Sequence, residues 1–272
     1  MPRRKAGLLA RLAWLLRWGL RLALIALIAD LFYLMLTWPD WKALATGSVP
    51  KSSFMLQYER ARAEDRRLPP LRWRPVPLAQ IAKPMIRAVI LAEDARFYEH
   101  SGFDLIAFKE AMSYNLEERR LALGASTISQ QTVKNLFLSP ARNPVRKWHE
   151  LVLTWGMESN LRKRRILELY LNIAEFGTGI YGVQAAAEAY YGVSAAGLSV
   201  IQAAELAATL PSPTRHNPAT RTEFFTRRTQ KILHRLYRFP GEAAEAIARE
   251  LAPRAHEATA ETPDASPEAD AL

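Results

Sequence analysis

The stretch GASTISQQTVKN, residues 124–135, places uncharged polar residues and one lysine at helical spacing. Thr127, Gln130, Gln131 and Lys134 stand at positions i, i+3, i+4 and i+7, which form one stripe on an α-helix. The Thr-x-x-Gln pattern is also a capping box, so a helix is predicted to begin here. This helix would carry hydrogen-bonding groups and one positive charge on the same face.

Helical patterns of this kind dominate residues 80–250, and no alternating pattern is long enough to predict a sheet. PMIRAVILAEDARFYEH, residues 84–100, starts with a proline and repeats apolar residues at helical spacing. The segment 144–177 contains two helices joined by the basic residues 162–165. The predicted fold is therefore one mainly α domain.

The second half of this domain contains clear start and stop signals. The glycine-rich stretch FGTGIYG, residues 176–182, predicts a loop before a helix at 183–191. Ser199 and Gln202 form another capping box and open a helix that Pro211 ends. No internal repeat accompanies these patterns.

Composition limits the function classes. The 272 residues contain no cysteine, which excludes a thiolate metal site and a disulfide framework. The net charge is +10, and the segment 41–252 alone has 30 Lys and Arg against 20 Asp and Glu. A basic body indicates an anionic partner, such as nucleic acid, acidic lipid or a phosphorylated substrate.

The N-terminus favours a membrane among these partners. LALIALIADLFYLMLTW, residues 22–38, is apolar except for Asp30, and six basic residues precede it. We expect a cytoplasmic N-terminus (1–17), a transmembrane anchor (18–38) and the remainder on the other side of that membrane, where nucleic acid is disfavoured. A cleaved signal peptide, with a processing site at residues 43–45, is the alternative. A buried core helix is a weaker alternative because of the clustered arginines.

The rest of the chain divides by composition. Residues 39–74 are predicted to be a linker and domain entry, with prolines that suit an extended segment. Residues 75–250 are the predicted catalytic domain, and the acidic, Pro- and Ala-rich tail 251–272 is predicted to be disordered.

Two glutamates stand in apolar surroundings. Glu93 falls on the face of Ile86, Ile90 and Phe97, where partial burial would raise its pKa toward the range of a general base. An edge glutamate paired with an arginine is the structural alternative. Glu168 is the one charge between residues 166 and 173, and taken alone it is better explained by a salt bridge from Arg164. Two such carboxylates, a basic stripe and a membrane anchor suit chemistry on a sugar that carries a lipid-linked phosphate.

Five stretches in order resemble the motifs of the peptidoglycan glycosyltransferases, glycosyltransferase family 51, over roughly residues 75–235. They are EDARFYEHSGFD (93–104), GASTISQQTVKN (124–135), RKWHE (146–150), KRRILELYLNIAEFG (163–177) and AAELAATLPSPTRHNP (203–218). The sequences of these motifs are most similar to those of the monofunctional members of the family in Gram-negative bacteria. No Ser-x-x-Lys with a Lys-Thr-Gly partner is present, so no transpeptidase activity is expected.

The resemblance implies a lysozyme-like helical fold and polymerisation of lipid II, with inversion to a β-1,4 bond and release of undecaprenyl pyrophosphate. Glu93 would be the catalytic base for the acceptor 4-hydroxyl. Glu168 would be a second catalytic glutamate that assists the phosphate side. No cofactor is firmly implied, and a divalent cation, Mg²⁺ or Mn²⁺, near the pyrophosphate is left open.

The resemblance also assigns substrate-binding and supporting residues. Asp94, Phe97 and His100 would shape the site. Hydroxyls, amides and cations would bind the donor sugar and pyrophosphate, namely Ser126, Thr127, Gln130, Gln131, Lys134, Asn135, Arg142, Arg146, Lys147 and Glu150. Lipid II, the growing glycan and membrane lipids are the implied partners, and other cell-wall synthesis and division proteins are left open.

Two departures from the family pattern stand out. Some relatives have an arginine near the position where this chain has Lys109 followed by Glu110, and Ala125 replaces a usual glycine.

Two other functions fit parts of the pattern. A membrane-anchored lytic enzyme would need a general acid but no cluster of cations for a pyrophosphate. An inactive scaffold that binds peptidoglycan would not need the two glutamates.

Overall fold

The computed structural model describes residues 2–117, 126–141 and 143–238. The predictions for Arg142, Ala125 and the tail 251–272 concern positions outside these residues. The described residues are mostly helical, as predicted. The helices are α1 (Pro2–Leu36), α2 (Trp41–Thr46), α3 (Ser53–Glu64), α4 (Lys83–Glu93), α5 (Leu105–Glu117), α6 (Ile128–Phe137), α7 (Pro144–Asn160), α8 (Lys163–Ile173), α9 (Val183–Tyr191), α10 (Val200–Thr209) and α11 (Glu223–Arg238), and the strands are β1 (Arg72–Trp73), β2 (Glu175–Gly177) and β3 (Ile180–Tyr181).

A small sheet replaces the loop predicted for residues 176–182. Its strand order is β1-β3-β2, with β2 antiparallel and β1 parallel to β3. The turn and the start of α9 need glycine: Gly179 and Gly182 have φ values of +74° and +79°. A Cβ on Gly182 would also lie 2.6 Å from the carbonyl oxygen of Asn172. Strands of two or three residues are too short to show alternation, which explains why the sheet was missed.

Helix α8 is the centre of the fold. Leu167, Leu169 and Leu171 have no exposed surface although they point in different directions around the helix, so neighbouring elements surround it. Asn172 also has no exposed surface, and its side-chain amide donates to the Val76 carbonyl and accepts from the Val76 N–H, both at 2.8 Å. This pair of bonds fixes the proline-rich extended segment against the core.

Helix α4 ends at Glu93, earlier than the apolar pattern predicted. Ile86 and Ile90 are buried on the predicted face. The backbone then leaves the helix at Asp94, so the expectation that Phe97 continues the same helical face is wrong. The Phe97 N–H donates to the Asp94 carbonyl at 3.0 Å, and this turn returns a fully buried Phe97 to the core. Glu93 therefore occupies the last position of a helix, with a turn directly behind it.

Within α1, Trp14–Leu36 is long and apolar enough to cross a membrane. Its 23 residues rise about 34 Å, slightly more than a hydrocarbon core of about 30 Å. Asp30, the exception in this apolar sequence, accepts from the Trp148 ring at 3.0 Å and lies 2.6 Å from Nε2 of His149. Helix α1 is thus joined by polar contacts to α7.

Candidate active site

The first turn of α6 is built by the predicted capping box. The Thr127 hydroxyl accepts from the Gln130 N–H at 3.2 Å, and the Gln130 side chain accepts from the Thr127 N–H at 3.0 Å. The Thr127 hydroxyl also donates to the Gly102 carbonyl at 2.7 Å. Both side chains are buried. These two members of the polar stripe therefore serve the fold, and each also lines a cleft.

The supporting residues Asp94 and His100 connect α4 to α6. One carboxylate oxygen of Asp94 accepts from the Ile128 N–H, and the other lies 2.9 Å from Nε2 of His100. Nδ1 of His100 accepts from the Gly102 N–H at 3.2 Å. An Nδ1 that accepts carries no hydrogen, so in this arrangement Nε2 carries the hydrogen and donates to Asp94. These contacts hold His100 between Asp94 and Gly102, and its supporting role in the site stays a prediction.

Glu93 is held by two partners from distant parts of the chain. Its carboxylate accepts from Arg228 of α11 at 2.6 Å and from the Gln131 amide of α6 at 3.0 Å. The side chain is 11% exposed. Burial raises the pKa of Glu93, and the charges of Arg228 and Lys134 and the two hydrogen bonds oppose that rise. A desolvated carboxylate with a raised pKa has the properties of a general base.

The other half of the polar stripe faces the same region. The Gln131 carbonyl oxygen accepts from the hydroxyl of Tyr170 at 3.1 Å, which leaves the amide nitrogen oriented toward Glu93. Burial lowers the pKa of Lys134, while the carboxylates of Glu150 and Glu93 act in the opposite direction. Lys134 is thus a partly desolvated cation whose charge influences Glu93.

Helix α7 adds a group of charges beside Lys134. Arg146 donates to the Glu150 carboxylate at 2.7 Å, and Lys147 makes a short ion pair with its other oxygen. The Glu150 side chain is 4% exposed. Asn143 caps the helix by accepting from the Arg146 N–H at 2.8 Å. Glu150 therefore fixes two cations that would otherwise be mobile.

These side chains line two clefts that meet at Ser126. The cationic cleft measures about 920 Å³, and its charged groups are Lys134, Arg146, Lys147 and Glu150. The carboxylate cleft measures about 410 Å³ and includes Glu93 among several acids. The cationic cleft is also lined by Phe54, Ser126, Gln130, Gln131 and Asn143, and the carboxylate cleft by Asp94, Arg96, Asp104, Glu110, Ser126, Thr127 and Arg235. The bond between Gln131 and Glu93 connects the two.

Some predicted residues lie apart from this arrangement. Glu168 accepts from the Leu78 N–H at 2.7 Å and forms an ion pair with Arg165, so both oxygens have structural partners. The pair comes from Arg165 at i−3 and not from Arg164. The catalytic role of Glu168 stays a prediction that these contacts do not support. Lys109 is exposed, whereas Glu110 lines the carboxylate cleft.

Arg228 is the residue that sequence reasoning missed. It interrupts the apolar stripe of Phe225, Ile232 and Leu236 in α11 in the same way that Glu93 interrupts the stripe of α4. Opposite charges on two core-facing stripes indicate a buried ion pair, and this signal was present in the sequence.

A divalent cation does not fit the donor groups beside Lys134. Glu150 is the one described carboxylate in the cationic cleft, and both of its oxygens contact cations of α7. Asp94, His100 and Asp104 cluster closely, but Asp94 binds His100 and Ile128, and Asp104 binds Arg96 at 2.8 Å. Among the described residues, lysine and arginine side chains thus occupy the cleft for which the sequence left a divalent cation open.

Comparisons with known proteins agree with this geometry. The family model described as Transglycosylase matches residues 65–237. A biosynthetic peptidoglycan transglycosylase of Nitrosospira multiformis is 48% identical over 166 residues, which are 61% of this chain and 72% of the relative. A protein of the same name from Janthinobacterium sp. is 39% identical over 78% of this chain and 90% of its own length. One from Yersinia pseudotuberculosis is 46% identical over 61% of this chain and 69% of its own length. The chain belongs to the transglycosylase family of enzymes.

Proposed function

We propose that the enzyme is a membrane-anchored peptidoglycan glycosyltransferase that polymerises lipid II into β-1,4-linked glycan with inversion. One observation carries this proposal: a largely buried carboxylate, held by Arg228 and Gln131, lines a cleft that adjoins a cationic cleft. Such a pair of clefts suits two sugars, one that loses a hydroxyl proton and one that loses an anionic leaving group. The names of the relatives support peptidoglycan as the product.

Glu93 is the base in this mechanism. The acceptor sugar occupies the carboxylate cleft, and its 4-hydroxyl gives its proton to Glu93. The hydroxyl oxygen then attacks the anomeric carbon of the donor and forms the new C–O bond. Arg228 and Gln131 hold the carboxylate in place for this step, and their contacts partly offset the rise in its pKa that burial causes. A base must lie within about 2.6–3.2 Å of the proton that it takes, so this fixed position matters.

The leaving group occupies the cationic cleft. The bond between the anomeric carbon and the pyrophosphate oxygen breaks, and the pyrophosphate keeps the electron pair. Lys134, Arg146 and Lys147 stabilise the charge that develops, and Glu150 keeps the latter two in place. No step is assigned to a metal ion.

The anchor is part of the proposal. Trp14–Leu36 spans the inner membrane, with the basic N-terminus in the cytoplasm and the catalytic domain in the periplasm. Its length and its arginine-rich flank support this topology. A lipid-linked donor would then meet the catalytic domain at the membrane surface. The enzyme carries no transpeptidase activity in this account.

Labelled lipid II and the purified full-length chain test the function. We expect polymer that a muramidase degrades to disaccharide units, which identifies β-1,4 bonds. Cleavage of preformed glycan without synthesis would indicate a lytic enzyme, and binding without turnover would indicate a scaffold. Two further variants distinguish a glutamate of the cationic cleft from one outside it. Glu150→Gln should reduce turnover because it weakens the ion pairs that hold Arg146 and Lys147, and Glu168→Gln should mainly lower stability.

A further inference from the structure

Glu175 at the start of β2 is a carboxyl group that the mechanism above does not use. It is half-buried, and burial raises its pKa to about 7. Neither a charge nor a hydrogen-bond donor among the described residues offsets this burial. The site carboxylates Glu93 and Glu150, by contrast, have cationic partners. The carboxyl group of Glu175 can thus form hydrogen bonds with water or with a bound ligand.

Glu175 lines a cavity that adjoins the cationic cleft. The cavity measures about 190 Å³, and Phe54, Gln131 and Lys134 line both it and the cleft. Tyr181 of β3 lines it as well, and burial raises the pKa of its hydroxyl, with no hydrogen bond from the described residues among the causes. A volume below the ~300–1,000 Å³ of whole-ligand sites suits one substituent of a larger ligand.

The chemistry of these groups selects the substituent. A protonated carboxyl has one O–H donor and one carbonyl acceptor side by side, which complement the C=O and N–H of a secondary amide. The Tyr181 hydroxyl adds a further donor. We propose that Glu175 and Tyr181 form a subsite for a secondary amide of the acetamido type on the sugar bound in the cationic cleft. This subsite rests on the proposed function, because an N-acetylated donor sugar would occupy that cleft.

The surroundings of Glu175 favour its neutral form near neutral pH. The titratable groups that face it are Tyr58 of α3, Tyr181 of β3 and Tyr190 of α9, all with raised pKa values. Across the cavity lie Tyr170 of α8 and Lys134 of α6. On α10, which also packs against β2, Glu205 is engaged by Tyr191 and Arg221. The protonated carboxyl is present below a pH of about 7 and is lost above it.

Kinetics with lipid II provide the first test. The wild type should show a KM that rises as the pH increases through about 7. Glu175→Gln keeps one donor and one acceptor at every pH, so its KM should be low and independent of pH. Glu175→Leu should raise KM about tenfold, as expected for the loss of one or two hydrogen bonds, with a melting temperature measured alongside. Glu64→Gln on the exposed end of α3 is the matched control. A wild-type pH response in Glu175→Gln, or an unchanged KM in Glu175→Leu, would overturn the subsite.

Equilibrium binding gives a test that does not depend on catalysis. N-acetylglucosamine 1-phosphate should bind the wild type about tenfold more tightly than glucosamine 1-phosphate, and Glu175→Leu should remove this preference. Equal binding of both probes to the wild type would overturn the acetamido assignment. The assignment would also fail if Glu175→Leu affected the reaction of lipid II, which carries a peptide, but not the binding of the sugar phosphates. A preference for the free amine above pH 7 would also overturn it, since Glu175 would then be a cation site. Failure of polymerisation by the wild type would instead refute the proposed function.

Discussion

Replacing Lys134 by methionine should reduce turnover by about 10²–10³-fold. The described residues give the cationic cleft three cations and one carboxylate, and Glu150 already pairs with Arg146 and Lys147, so Lys134 supplies much of their uncompensated positive charge. Two unit charges about 4 Å apart interact by about 4 kcal/mol at an effective dielectric constant of ~20. The two remaining cations reduce this loss, and each tenfold change in rate corresponds to about 1.4 kcal/mol.

The same substitution should change the pH dependence of turnover. Glu93 must be ionised to accept a proton, so activity is present above the pKa of Glu93 and is lost as the pH falls through it. The charge of Lys134 lowers that pKa. Its removal should therefore move the acid limb of the profile to higher pH. A purely structural lysine would lower activity without moving this limb.

Lys134→Arg is the matched control because it keeps the charge on a similar side chain. Initial rates of lipid II polymerisation across pH 5–9 for the wild type and both variants, with melting temperatures, make the comparison. Near-normal polymerisation by a folded Lys134→Met variant would refute the role of the cationic cleft. A tenfold or larger loss with an unmoved acid limb would refute the coupling to Glu93.

Three further outcomes follow from the contacts. Arg228→Gln should raise the pKa of Glu93 and move the acid limb to higher pH, while Arg228→Lys should move it less; an unchanged profile in both variants would contradict the ion pair. Thr127→Ala should lower the free energy of unfolding by about 2–3 kcal/mol, because it removes a cap and leaves the buried Gly102 carbonyl unpaired. Ser199→Ala, at an exposed capping box, should lower it by about 1 kcal/mol. Denaturant titrations measure both values. A reporter that functions only in the periplasm should be active when fused to the C-terminus, and N-terminal sequencing that begins at residue 46 would replace the anchor with a signal peptide.

Local patterns predicted the helices and the first turn of α6. The capping boxes at Thr127 and Ser199 depend on residues three positions apart, so they can be identified without tertiary structure. Glu93 could be singled out because a charge within an apolar stripe is visible in one helix. Its partner Arg228 lies 135 positions away. The pairing depends on the packing of α11 against α4, which no local pattern contains.

Sequence patterns say least about a side chain whose neighbours come from distant parts of the chain. Glu168 looks similar to Glu93 in sequence, yet its oxygens bind Leu78 and Arg165. The choice between a structural and a functional carboxylate depends on the elements that surround it. Glu175 was quoted within the motif at 163–177 without a role of its own, and its burial arises from the short sheet and the tyrosines around it.

The most direct test of the mechanism compares Glu93→Gln with the wild type in a lipid II polymerisation assay. Glutamine keeps the size of the side chain and can still contact Gln131, but it cannot accept the proton of the 4-hydroxyl. Glu99→Gln, an exposed acid in the same motif, is the control. We predict that the Glu93→Gln variant folds, binds lipid II and makes essentially no polymer, while the control polymerises normally. Near-normal polymer from a well-folded Glu93→Gln variant would contradict the assignment of Glu93 as the base.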